Sequence, residues 1–426
     1  MSLTGYETSY YTASANPATA YPMLNEAVDA DICVIGAGFT GLSAALHLAE
    51  RGYKVVVLEA QRVGWGASGR NGGQVGVGQR QGQQELEKML GNEHARALWD
   101  LAEESVALVK QLIEDHQIQC DLKPGILHTA HKPGYVAEMR EEVEHLQRHY
   151  NYDAVEFVEQ DELRQMLDTD YYYGGQRFHN AAHLHPLNYA LGLADAATKA
   201  GATIYEHSAV LETDEDGSTL LKTAKGSVRA KQVVLACNGY LEKLEPRVAG
   251  KIMPINNFII ATEPLDESLA RKLIRDDVAV ADSKFVINYY RLSADNRLLF
   301  GGGENYRRSF PSDIKGFVRR YMLDVYPQLE DVNIDYDWGG TLAVTMNRMP
   351  HFGRVGDNTY VAQGYSGHGV AMATLGGKLL AEALSGTLER FDQFAKVPTP
   401  TFPGGTLLRW PGMVAGMLYY SIRDRL

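Results

Sequence analysis

Two spacings of apolar residues alternate along the 426-residue chain. Residues 31–35 (DICVI) form a short apolar run that predicts a buried strand, and a glycine-rich turn follows. Residues 42–50 carry apolar positions at helical spacing, Gly52 ends that helix, and 54–58 predict a second buried strand closing on Glu59. Near the other end, 359–362 read as a strand, 364–369 as a turn and 370–384 as a helix. Between these regions NNFIIAT, KFVINYYRL and RLLFGGG predict an antiparallel sheet, with SADN as a hairpin turn. CDLKPGILHTA begins a strand that leaves the first unit, and a charged helix over 134–150 leads back. The expected fold is α/β in its first part and α+β overall, as two interleaved domains. One takes 27–118, 156–238 and 340–395; the other takes 119–155 and 239–339. A tyrosine-rich extension (1–26) and an apolar tail (396–426) flank them, both expected chiefly to pack on the body; a subunit or membrane-surface contact is the tail's alternative.

Composition narrows the class without choosing the chemistry. Hydrophobic residues make up 45% and charged residues 22%, as in an ordinary globular enzyme. A net charge of −12 argues against nucleic acid as the main partner. Cys33, Cys120 and Cys237 are too few and too scattered for a disulfide framework or a metal site. With no basic–apolar leader and no apolar run of about 18–20 residues, the expectation is a cytoplasmic protein without a transmembrane segment. No metal is expected.

The turn after the first strand carries Gly36, Gly38 and Gly41 as G-x-G-x-x-G. Gly36 permits the turn, Gly38 lets backbone approach a pyrophosphate, and Gly41 lets helix and strand pack closely. The helix N-terminus offers free N–H groups to phosphates. Glu59 stands where an acid accepts hydrogen bonds from adenosine ribose, which argues against a 2′-phosphate. This is a Rossmann-type dinucleotide site. GWGASGRNGGQVGVG (64–78) would run beside an extended cofactor, with Ser68, Arg70 and Asn71 available to its polar middle. A helix starting at GHGV would aim a positive dipole at a reduced flavin, with His368 either bonding the ring or capping the turn. No second G-x-G-x-x-G follows a strand, so the substrate itself is expected to reduce the flavin.

These stretches, with HLHPLNYALGLADAATKAGATIYE and in this order, resemble the D-amino-acid-oxidase-like superfamily of FAD oxidoreductases. Within it SYYTASAN, RNGGQ, YYRLSADNRLLFGGG and YYSIRDRL look like the gamma-glutamylputrescine oxidoreductases. The resemblance implies FAD, bound non-covalently because no cysteine follows Cys237. It implies pyrophosphate contacts from Gly36, Gly38, Phe39, Thr40 and Gly41, and adenosine contacts from Glu59, Ala60, Arg62 and the Val210 strand. Ala67, Ser68, Arg70, Asn71, Gly72 and Gly73 would lie along the cofactor, and Ser366, Gly367, His368, Gly369 and Val370 beside the flavin ring.

The implied reaction is oxidative deamination of a primary amine to an aldehyde and ammonia, with a hydride equivalent passing to flavin N5. Oxygen or a quinone-like carrier is the onward acceptor, and the oligomeric state is open. Amino-acid-oxidising relatives place a carboxylate-clamping Arg where this chain has Thr341-Leu342-Ala343, which favours an amine with no adjacent carboxylate. Oxidation of a secondary amine or amino acid, as by sarcosine or glycine oxidases, is the alternative. Arg348 is a candidate for a remote carboxylate or for pairing with a structural acid. Tyr289, Tyr290 and Trp338 are candidates for an aromatic amine-binding wall, and alternation lets only one of the two tyrosines face the site. The predicted substrate-side residues are therefore Tyr290, Trp338, Arg348 and His368. His183 and His185 read as structural.

Overall fold

The computed structural model describes residues 6–216, 218–305 and 309–412. Its first sheet places Ala27–Ile35 between Val55–Leu58 and Ser227–Leu235, all parallel, with Thr203–Tyr205 and Thr359–Gln363 continuing on either side. These strands are apolar because helices and a neighbouring layer cover both faces. Phe39–Glu50 is buried along all but its last residue, and it packs against Gly369–Leu384. That contact is tight: a Cβ on Gly377 would come within 2.5 Å of the Thr40 carbonyl, and Ser43 Oγ donates to Thr374 O at 2.6 Å.

The second sheet runs Ile334–Val344, Met253–Thr262, Leu298–Asn305, Tyr289–Leu292, Ala279–Asp282, Lys123–Thr129, Gly174–His183 and Gln74–Val75, with Val155–Glu159 also on Gly174–His183. SADN closes the expected hairpin, Asn296 taking φ +60°. The sheet is mixed rather than purely antiparallel, because Ala279–Asp282 pairs in parallel with Lys123–Thr129. The boundaries also differ from the expectation. The helix Gly134–Tyr150 leads not back to the first sheet but into Val155–Glu159 of the second. The chain recrosses only at Pro186–Lys199, where His185 Nδ1 accepts from Asn188 N at 3.1 Å. Strand Ile334–Val344 runs through the expected boundary at 339/340 without a break.

The N-terminal segment packs as expected. Tyr10 and Tyr11 are buried, and Tyr11 meets Trp338 edge-on at 5.1 Å. Part of the tail packs too, with Phe402 and Trp410 against Met253, Ile255 and Val344. YYSIRDRL lies outside the described residues. No helix among the described residues is long and apolar enough to cross a membrane.

Candidate cofactor and substrate cleft

Between the two sheets lies a cleft of about 1430 Å³, including its open mouth. Residues on and beside both sheets line it, from Gly38 and Phe39 at one part to Tyr289, Leu342 and Arg348 at another. Its floor is made by two helix beginnings. Gly38, Phe39 and Thr40 line one part, and Gly367, Gly369 and Val370 another. Neither helix has a side-chain cap from its N-cap residue, so each presents backbone N–H groups towards an anion or developing negative charge.

The glycine turn is built as the sequence requires. Gly36 has φ +104°, and a Cβ on Gly41 would lie 1.9 Å from the Gly36 carbonyl. Ser68 Oγ accepts from Phe39 N at 3.0 Å and sits 2.8 Å from where a Gly38 Cβ would be. A backbone kept bare beside a helix N-terminus, opening into a long cleft, fits a dinucleotide pyrophosphate.

Three glycines of 64–78 also face close neighbours within the protein. A Cβ on Gly72 would meet the Tyr289 ring at 2.7 Å, one on Gly73 the Leu184 carbonyl at 2.0 Å, and one on Gly76 the His368 ring at 2.8 Å. At these three positions the protein's own groups occupy the space a side chain would take. Asn71 likewise works on the loop: its Nδ2 donates to Ala67 O and Ser68 O, and its Oδ1 accepts from Gly73 N. Arg70 lines the cleft but is committed to Trp65 O, Glu7 and Gly339 O. Ala67, Ser68 and Gly72 line the cleft as expected.

The residues expected at the adenosine end do not form the cleft wall. Glu59 accepts from Ala37 N and Gln61 N, each at 2.8 Å, and burial raises its carboxyl above the usual range. Ala60 is exposed. Arg62 is buried in an ion pair with Glu206 at 3.1 Å, under the Tyr6 ring. Val210 is not on a strand; that strand ends at Tyr205, and Val210 packs against the apolar core beyond it.

The substrate-side expectations need three corrections. Tyr290 is core, stacked on Phe300 at 5.2 Å, because its side of the strand faces the buried layer. Tyr289 lines the cleft instead, and its hydroxyl donates to Asn257 Oδ1. Trp338 is buried under the glycine loop, its Nε1 donating to Arg70 O at 3.0 Å. His368 turns its ring away from the cleft towards Gly76; burial lowers its pKa to about 4, and Nε2 has no hydrogen-bond partner. Its neighbours Ser366, Gly367, Gly369 and Val370 do line the cleft. Arg348 lines it as expected, its guanidinium 5.1 Å from the Phe285 ring. His183 and His185 are structural, each bonded within the fold.

Sequence reasoning missed Gln74, Arg80, Asn257 and Phe285, all on the wall. For Tyr289 a signal existed. Gly301 lies opposite it in register, and a Cβ there would sit 2.1 Å from its ring, so the FGGG run makes room for that side chain. Leu342 and Ala343, from the Thr341-Leu342-Ala343 stretch, and the adjoining Val344 make this part of the wall apolar. No group of three or more acidic, histidine or cysteine side chains suited to a metal occurs among the described residues.

Residues 31–383 match the family described as DAO, FAD dependent oxidoreductase. The chain is 45% identical over 425 residues to gamma-glutamylputrescine oxidoreductase of Escherichia coli K12, covering all of both chains. The structure of glycine oxidase from Geobacillus kaustophilus superposes with a TM-score of 0.71 at 21% identity, covering 84% of this chain and 95% of that one. L-proline dehydrogenase from P. horikoshii superposes with a TM-score of 0.68 at 23% identity, over 89% and 96%. These two likenesses show the shared fold. The matched family spans the glycine turn, the cleft and both helix beginnings, and the chain belongs to the DAO family of FAD-dependent oxidoreductases, with FAD as its cofactor.

Proposed function

We propose that the protein oxidises a primary amine, with gamma-glutamylputrescine as the favoured substrate, giving an aldehyde and ammonia after hydrolysis of the imine. The observation that carries this reading is the apolar wall at Leu342, Ala343 and Val344, which offers no partner to a carboxylate beside the reacting carbon. The full-length likeness to the E. coli relative supports the substrate. When bound, FAD supplies the two-electron acceptor.

The protein's own groups do the rest. An alkylamine is mostly protonated near pH 7, and only the neutral form can be oxidised. The apolar wall and the rings of Tyr289 and Phe285 exclude water and so favour the neutral amine. The N-terminus of Gly369–Leu384 stabilises negative charge arising at that end of the cleft. No cysteine lines the cleft among the described residues, which supports non-covalent FAD. Three unpaired thiols fit a cytoplasmic setting. Oxygen or a quinone-like carrier takes the electrons onward.

The test mixes the yellow protein anaerobically with gamma-glutamylputrescine, putrescine, sarcosine and a D-amino acid. Bleaching of the flavin band by gamma-glutamylputrescine is expected to be fastest. Faster bleaching by sarcosine or the D-amino acid would move the reading to secondary-amine or amino-acid oxidation.

A further inference from the structure

The cleft carries three charged side chains on its wall, Arg70, Arg80 and Arg348, and no acid among the described lining residues. This is notable in a chain with 53 acidic and 41 basic residues. Arg70 is held by Glu7 and two backbone carbonyls at the edge of the glycine loop. The other two arginines come from distant parts of the chain to one place. Gln81 Nε2 donates to Asn347 O at 2.9 Å, which joins the residues next to Arg80 and Arg348.

Arg348 is also held in a costly conformation. Its φ is +63°, in the left-handed region that favours glycine, within the turn between Ile334–Val344 and His351–Val355. A side chain with a Cβ is disfavoured there relative to glycine. Strain of this kind marks a side chain retained for what it reaches, and Arg348 reaches the cleft beside Phe285. The nearby histidines add no charge: His128 and His368, both within electrostatic reach of Arg80, are each lowered to about 4 by burial. The pyrophosphate end lies elsewhere, at Gly38 and Phe39.

We propose that Arg80 and Arg348 form a recognition site for a carboxylate on the far end of the substrate, so that the enzyme selects amines bearing a remote anionic group over simple diamines. This rests on the amine-oxidase reading above and adds the residues that set its selectivity. A guanidinium pair matches a carboxylate in charge and in its paired donors. A diamine such as putrescine offers only a second cation, which the same pair repels.

The test uses the holoenzyme and two substrates, gamma-glutamylputrescine and its analogue with the carboxylate converted to a carboxamide. In the wild type the carboxylate form is expected to be favoured about 10- to 100-fold in kcat/KM, the range of a charge-assisted hydrogen-bond pair. Arg348→Gln and Arg80→Gln should each collapse that ratio about tenfold, chiefly through KM. Arg348→Gly, which suits the positive φ, should fold at least as well and lose the same discrimination. Binding is read separately by calorimetry with N-butylglutaramate, which keeps the chain and carboxylate and has no amine to oxidise. Its dissociation constant should rise at least tenfold in each variant.

An unchanged ratio and unchanged N-butylglutaramate binding would overturn the proposal. So would a shift of the flavin midpoint potential in the variants with discrimination intact, which would assign the arginines to the cofactor. If no amine bleaches the flavin but N-butylglutaramate still binds in an arginine-dependent way, the proposed reaction fails and this site stands.

Discussion

Arg62 separates two accounts of the cofactor site. Family resemblance implies an adenosine contact, whereas the structure holds the guanidinium against Glu206 at 3.1 Å, with side chains only 7% and 2% exposed. Glu206 also accepts from Val63 N at 2.9 Å, so its carboxylate fixes the start of the glycine loop. Removing one partner leaves a buried charge uncompensated, at a cost of about 3–5 kcal/mol. Arg62→Met and Glu206→Ala should therefore each lower the urea midpoint of the apoprotein by roughly 1 M, for a denaturant slope of about 3 kcal/mol/M. The double variant Arg62→Met/Glu206→Leu removes both charges together. It should cost clearly less than the sum of the single changes, with a coupling energy of about 1–3 kcal/mol. The assay pairs unfolding of the apoprotein with FAD titration of the folded apoprotein. The affinity of Arg62→Met for FAD should fall less than tenfold. A wild-type midpoint together with a tenfold or larger loss of FAD affinity would refute the reasoning and return Arg62 to the cofactor.

Five other outcomes follow from contacts elsewhere in the fold. Tyr290→Phe removes a buried hydroxyl without a partner, so thermal melts should show equal or higher stability. Tyr289→Phe frees Asn257 on the cleft wall and should raise KM about two- to tenfold in steady-state assays. Burial raises the Asp282 pKa to about 7, above its ordinary value of 3.8, so the folded state resists ionisation and stability falls as pH rises from about 4 to 7. Asp282→Asn should then raise the urea midpoint at pH 8, by an amount worth roughly 2–4 kcal/mol, and change little at pH 4. Gly73→Val should fail to fold, because the new Cβ meets the Leu184 carbonyl and φ is +76°. Gly72→Val, by contrast, meets only the Tyr289 ring and should fold with weakened FAD retention, read as the flavin-to-protein absorbance ratio.

What the sequence revealed depended on the range of the interaction. The turn at Gly36, Gly38 and Gly41 and the helix after GHGV are local, and both stand where their spacing puts them. The alternation at Tyr289 and Tyr290 showed that one faces the cleft. Which one depends on register with Gly301, eleven and twelve residues further along the chain. Arg62 and Asn71 have partners within the protein, Glu206 and the loop's own carbonyls, which no local pattern announces. Arg80 and Arg348 are 268 positions apart, and nothing local announces that they share a wall. Domain borders differ for a related reason, since Gly174–His183 (GGQRFHNAAH) is assigned to a sheet only by its distant partners.

The N-terminal segment has a consequence for the order of assembly in the cell. Tyr10 donates to Asp295 at 2.7 Å, Asn16 N donates to Asn188 Oδ1 at 2.8 Å, and Tyr11 rests on Trp338. A ribosome makes this segment first and its partners up to 327 residues later. For most of synthesis Tyr10 and Tyr11 lack Asp295 and Trp338, and they are exposed to chaperones and proteases meanwhile. Their docking is then a late event that reports that residues 188, 295 and 338 are all in place.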